Sequence, residues 1–222
     1  MKKQKKKRKL RLRRLLLLLL IVSVISFALV KASSVRIRSI IIKGNNIITD
    51  QEIIEIADLE DYPSFIKTLS YTVKKKILKN QYVKDVSVSK GILSIKINIT
   101  EKKVLYTDLV NGVKVTTDGD IKDDRIVCVP NLTNDVPKEK KDEFNKAMSK
   151  IDSDILCQMA EIKYDPNEID SDRYYVYMSD GNSVYLTVNK FDKINKYNTI
   201  LENVGKQNGT LYLDYGDYFK VK

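Results

Sequence analysis

Sixteen consecutive residues, Leu15 to Val30 (LLLLLLIVSVISFALV), carry no charge, no glycine and no proline. As a helix rising about 1.5 Å per residue, the run is about 24 Å long. Continuing it through Ala32, Ser33 and Ser34 brings it near a hydrocarbon core of about 30 Å. Lys31, inside that extension, can snorkel to the outer headgroups. The fourteen residues before the run hold six Lys and four Arg and no acid. By the positive-inside rule this short tail stays in the cytoplasm and everything after Ser34 lies outside. The expected organisation is a basic cytoplasmic tail over 1–14 and an uncleaved transmembrane helix over 15–34. A cleaved signal peptide is the alternative, because Val30-Lys31-Ala32 imitates a small-residue cleavage site. The length of the run and the lysine inside that site count against it. Both readings put the 188 residues after Ser34 outside the cytoplasm.

Taken whole, the chain has a formal charge of +11, which invites a nucleic-acid partner. The invitation disappears on division. Residues 15–222 hold thirty basic and twenty-nine acidic side chains, so the outer part has no net field to steer it onto polyphosphate. No nucleic-acid partner and no small-molecule substrate is expected. The chain has no His, which excludes Ser-His-Asp and Cys-His nucleophiles and histidine zinc sites. Asp118, Asp120, Asp123 and Asp124 resemble a calcium loop. Lys122 and Val129 stand where an EF-hand needs an oxygen ligand and a Glu, so a solvated turn is read there. No catalytic constellation, cofactor site or metal site is expected. Cys128 and Cys157 can pair only if their Cα atoms come within about 7 Å. Two unpaired, small core residues are the reading taken.

Val35 to Ile42 reads as a strand, with a bulge or two-sided burial across Ile40-Ile41-Ile42. Thr49 to Glu52 is a capping box that opens a short helix bearing Ile53, Ile54 and Ala57. Pro63 opens a second helix from about Ser64, with Phe65, Leu69, Val73 and Ile77 as its buried stripe. Val83, Val86 and Val88 mark a strand, and Ser89-Lys90-Gly91 a turn. Leu93, Ile95, Ile97 and Ile99 alternate with polar residues in the clearest period-2 signal of the chain. The order over 35–103 is β-α-α-β-β.

These residues resemble a known module. A strand ending in Lys43-Gly44-Asn45, the capped helix at Thr49, the segment Asn80-Gln81-Tyr82-Val83-Lys84-Asp85-Val86-Ser87-Val88, and Leu93 through Lys102 are similar to a POTRA domain. The basic tail and apolar run directly before them are similar to the arrangement in the bacterial FtsQ/DivIB cell-division family. The resemblance implies a non-enzymatic divisome scaffold. Such a protein would be single-pass and type II in the cell membrane at the division septum, with most of its chain extracytoplasmic. It would bind FtsL-type and FtsB/DivIC-type bitopic coiled-coil proteins and help control septal peptidoglycan synthesis. A secreted or anchored POTRA-bearing assembly or transport factor is the alternative, and an anchored extracellular enzyme is a further one.

Over 104–222 the pattern predicts a mixed α/β domain on a mainly antiparallel sheet, so the fold class is α+β. Strands are expected at Val104–Tyr106, Val113–Thr117, Ile126–Val129, Ile162–Tyr164, Tyr174–Met178 and Val184–Val188. Helices are expected from Pro137 to about Ile151 and from Phe191 to about Val204. Asp118-Gly119 and Asp180-Gly181-Asn182 are turns. Leu211 to Asp214 is expected as the last strand, with Tyr215, Tyr218 and Phe219 in a tail beyond it. Aromatics are unusual in a fraying end and point to docking. The candidate partner-binding residues are therefore Leu211, Tyr212, Leu213, Asp214, Tyr215, Tyr218 and Phe219. Binding would proceed by addition of a strand to an open sheet edge.

Overall fold

In the computed structural model, residues 12–205 and 207–222 are described. Most of the basic tail expected over 1–14 lies outside the described residues. Helix α1 (Leu12–Ser33) carries the apolar run, and its described large apolar side chains between Leu15 and Val30 are all exposed. Among the described residues no helix is long and apolar enough to cross a membrane.

The chain divides into two compact units, 1–100 and 101–222. In the first, α1 is followed by β1 (Ser39–Lys43), α2 (Asp50–Ile56), α3 (Ser70–Ile77), β2 (Val83–Lys90) and β3 (Ser94–Glu101). The three strands form a sheet in the order β1-β3-β2, with β1 parallel to β3. Thr49 caps α2 by accepting the backbone N–H of Glu52, as the capping box predicts. Ile95, Ile97 and Ile99 are buried, and Lys96, Asn98 and Thr100 between them are exposed.

Three expectations in this unit need correction. β1 begins at Ser39 rather than Val35 and alternates simply, with Ile41 37% exposed, so it has neither a bulge nor two-sided burial. α3 starts at Ser70, and residues 64–69 form turns that pack beside Val35 to Ile37. The buried stripe therefore shrinks to Val73 and Ile77, while Leu69, at 59% exposure, stands outside it. Leu93 lies in the turn before β3 with φ +53°, not in the strand.

The second unit holds one nine-stranded sheet. Its strands are β4 (Val104–Asp108), β5 (Val113–Thr116), β6 (Gly119–Ile121), β7 (Asn131–Leu132), β8 (Met159–Tyr164), β9 (Arg173–Met178), β10 (Ser183–Thr187), β11 (Gly209–Tyr212) and β12 (Tyr218–Val221). The order across the sheet is β12-β11-β10-β9-β8-β7-β4-β5-β6. Five of its eight pairings are antiparallel. The parallel ones are β10 with β11, β4 with β7, and β7 with β8. Helices α4 (Lys138–Ser149), α5 (Ser153–Gln158), a 3₁₀ segment (Val188–Lys196) and α6 (Tyr197–Asn203) complete the unit. Its core centres on four rings. Phe144 stacks on Tyr174 at 4.7 Å, and Phe191 and Tyr106 meet Phe144 at 5.9 and 5.2 Å. Burial pushes the Tyr106 and Tyr174 hydroxyls well above the ordinary tyrosine range.

Two expectations fail between β6 and β8. Ile126 to Val129 is not a strand, and Ile126 is 97% exposed. This irregular stretch is held from both ends. Lys114 is paired with Asp123 at 2.7 Å, and Cys128 is disulfide-bonded to Cys157 with a Cα–Cα separation of 4.7 Å. The cysteines are thus paired and exposed rather than free and buried. They flank the starts of β7 and β8, a parallel pair, so the bond clasps the crossover that joins those two strands.

Candidate partner-binding site

The C-terminal end of the large sheet is built in an order the sequence reading misplaced. Leu211 and Tyr212 lie in β11, an interior strand paired with β10 on one side and β12 on the other. Leu213 and Asp214 follow it. Tyr218 and Phe219 belong to β12, which forms the edge, and Tyr215 sits in the connection between the two strands. The expected aromatic tail is itself a strand. It pairs in sequence with its predecessor across a short turn, which local periodicity over four residues does not reveal.

Alternation along β11 sorts the candidate residues. Leu211 and Leu213 are buried in the core, each 2% exposed. Tyr212 faces the other way and stacks on Tyr185 of β10 at 5.3 Å and on Tyr218 of β12 at 4.7 Å, with interplanar angles of 23° and 11°. Tyr175 of β9 meets Tyr185 at 5.2 Å and continues the row. The strand registers explain it: Tyr175, Tyr185, Tyr212 and Tyr218 are cross-strand partners in succession. Arg173 covers the Tyr185 ring at 4.7 Å. The row ends at Tyr218, which is 52% exposed. Tyr215, 75% exposed, makes no ring contact in this row. Asp214 lies 3.9 Å from Arg173, and its backbone oxygen accepts from Lys190 at 2.9 Å.

On the other side of the same edge lies a cavity of about 410 Å³. Ile200, Val204, Leu211, Leu213 and Phe219 supply its apolar lining. At its margin Lys193 pairs with Asp217 at 2.6 Å and holds that carboxyl below the ordinary range.

The edge itself is open. Among the described residues no strand pairs with the outer side of β12. Lys222 N–H donates to Asn208 O at 3.0 Å, so the antiparallel alternation turns the N–H groups of Phe219 and Val221 away from β11. Gly209, opposite Val221, lets the two strands approach. A β-carbon there would stand 2.2 Å from Lys220 O and 2.6 Å from the Phe219 ring.

Tyr175 and Tyr185 were absent from the residues singled out in the sequence. Their signal was present as tyrosines on the half-exposed side of alternating strands. Assembling them into one row requires the pairing of β10 with β11, which are separated by two helical segments.

Residues 35–102 match the family model "POTRA domain, FtsQ-type". Over 201 residues the chain is 28% identical to the cell division protein DivIB of Listeria monocytogenes serovar 1/2a, covering 83% of this chain and 72% of that one. It is 25% identical to DivIB of Bacillus subtilis strain 168 over 198 residues, covering 83% and 74%. Over most of its length the chain is similar to DivIB cell-division proteins, and its residues 35–102 match the FtsQ-type POTRA domain. The POTRA match takes in β1, α2, α3, β2 and β3, so the β-α-α-β-β order is that of an FtsQ-type POTRA domain. The edge at β12 lies outside that module. A solved structure of the major extracytoplasmic domain of DivIB from Geobacillus stearothermophilus superposes with a TM-score of 0.37 at 22% identity, covering 48% of this chain and 97% of that one.

Proposed function

We propose that this protein is a non-enzymatic scaffold of the division machinery, anchored by α1 with its N-terminus in the cytoplasm and its two units outside. The anchor reading rests on the uncharged run Leu15–Val30, the ten basic residues before it, and the exposure of its described apolar side chains. Residues 35–103 form the POTRA domain and 104–222 the partner-binding domain. The observation that carries the partner reading is the open β12 edge at the end of a tyrosine row. Outward N–H and C=O groups of β12 offer a template for an extended segment, and Tyr218 offers a ring beside it. The partners are FtsL-type and FtsB/DivIC-type bitopic coiled-coil proteins, and through them the scaffold influences septal peptidoglycan synthesis.

Val221→Pro tests this. It removes one outward N–H and none of the groups that face β11, and proline is tolerated on an edge strand. Binding of the full chain in detergent to its DivIC-type partner should weaken at least about tenfold, the loss expected when an interface loses an anchoring contact of about 1.4 kcal/mol or more. Circular dichroism should stay unchanged. Full affinity in the folded variant would move the interface away from β12.

A further inference from the structure

We infer that the end of the POTRA unit nearest α1 is a lipid-contact surface that rests on the outer leaflet of an anionic membrane. The inference depends on α1 being the anchor.

Three separate loops meet at this end. The chain leaving α1 runs through Val35 to Arg38, and Val35 stands only two residues beyond Ser33, the last residue of the helix. Residues 61–69 lie against it: Phe65 N–H donates to Val35 O at 2.8 Å, Ile37 N–H donates to Pro63 O at 3.0 Å, and Arg36 bridges to Ser64. The turn between β2 and β3 lies on it as well, because Arg38 N–H donates to Leu93 O at 2.7 Å. Lys90 links the second and third loops, donating to Phe65 O at 2.6 Å and lying 4.6 Å over the Phe65 ring. The loops are therefore tied to the helix exit and to one another.

What they present is apolar and exposed. Ile92, at the tip of the β2–β3 turn, is 97% exposed, Leu69 59% and Ile66 46%. Water gives no reason for isoleucine at such a tip. The backbone holds it there against its own preference, since Leu93 has φ +53°, and Asp61 and Tyr62 in the neighbouring loop have φ +54° and +49°. Left-handed backbone is costly for residues other than glycine and tends to mark functional loops. The charged groups of these loops are Arg36, Arg38, Lys67 and Lys90 against Glu60 and Asp61, with Arg36 occupied in part by Asp61 O. A cationic margin around exposed apolar side chains, beside a membrane-spanning helix, matches a bilayer interface: aliphatic groups enter the headgroup boundary and cations meet lipid phosphate.

The test uses the full chain in nanodiscs of mixed phosphatidylglycerol and phosphatidylcholine. An environment-sensitive fluorophore is attached at Ile92→Cys and, as a control, at Thr100→Cys. Thr100 is exposed at the far end of β3, six residues and about 20 Å from Ser94. Lipids with a quencher on the acyl chain should quench the label at 92 several-fold more than the label at 100. Equal quenching at the two positions would overturn the inference. A shielded label at 92 with no lipid quenching would also overturn it and point to a protein contact. In nanodiscs of phosphatidylcholine alone the quenching at 92 should fall. Quenching of equal size there would remove the role given to the cations. Release of the chain from vesicles by alkaline carbonate would show instead that the anchor reading itself is wrong, and the inference would fall with it.

Discussion

Gly209 decides whether the last strand can join the sheet. Its φ is not in the left-handed region, so the requirement is space rather than backbone freedom: Lys220 O and the Phe219 ring occupy the place of a β-carbon. Gly209→Ala should cost about 1–3 kcal/mol through overpacking, or release β12 from β11. A thermal melt paired with partner binding checks this, and binding should fall further than stability does. Asp108 makes a different demand. It is 1% exposed, and its carboxylate accepts from Asn111 N–H at 3.0 Å, Asn111 Nδ2 at 2.8 Å and Lys141 at 3.1 Å. Burial by itself would push the carboxyl up; the Asn111 donors and Lys141 outweigh it and hold the group below the ordinary carboxylate range. A lowered folded-state pKa gives stability that is present above the unfolded value of about 3.9 and is lost as pH falls through the folded value. Urea midpoints should therefore drop as pH is taken below about 4. Asp108→Asn should be less stable than the parent at pH 7 and should show a flatter acid limb.

At the scale of elements, strand periodicity and turn chemistry were readable because they are local. Ile95, Ile97 and Ile99 alternate because one face of β3 is core and the other is solvent. Thr49 caps because its oxygen lies three residues from an orphan N–H. The Asp118-Gly119 and Asp180-Gly181-Asn182 turns stand where their residue types put them. Leu69 deceived because residues 64–69 fold back on Val35 to Ile37, a contact some thirty residues distant that overrides the four-residue spacing. Ile126 to Val129 deceived in the same way, since a disulfide and an ion pair place that stretch without a ladder. Truncation measures the difference. Ile95→Ala or Ile97→Ala should cost about 2–5 kcal/mol, whereas Leu69→Ala and Lys96→Ala should stay within about 0.5 kcal/mol of the parent in chemical denaturation. Comparable losses at Leu69 and Ile95 would restore the longer stripe. The candidate site was half legible. The clustering of Tyr212, Tyr215, Tyr218 and Phe219 pointed to the end of the sheet that carries the β12 edge. Which strand forms its edge, and which of the four rings belong to the row, followed from pairings that sequence spacing does not encode.

For the molecule as a whole, the Cys128–Cys157 bond fits a domain that works outside the cytoplasm, where thiols are oxidised. It encloses a separation of 29 residues that contains α4 and most of α5. Cross-linking a loop of that size stabilises by about 3–4 kcal/mol in the chain-entropy account. Both cysteines lie in the second unit. Reduction, or the Cys128→Ser/Cys157→Ser pair, should therefore lower the denaturant midpoint of that unit and leave the POTRA unit where it was. A common shift of both transitions would mean that the units unfold together.

The tyrosine row also has an optical consequence. The chain contains no tryptophan, so tyrosine rings dominate its aromatic absorption and emission. Tyr185, Tyr212 and Tyr218 stand face to face across three strands, close enough for their transitions to couple. The near-ultraviolet dichroism of this protein should therefore carry a component that belongs to the sheet edge. Any event that adds a ring beside Tyr218, or peels β12 away, becomes visible without a label, and a tryptophan on an incoming partner would emit against a background that contains none.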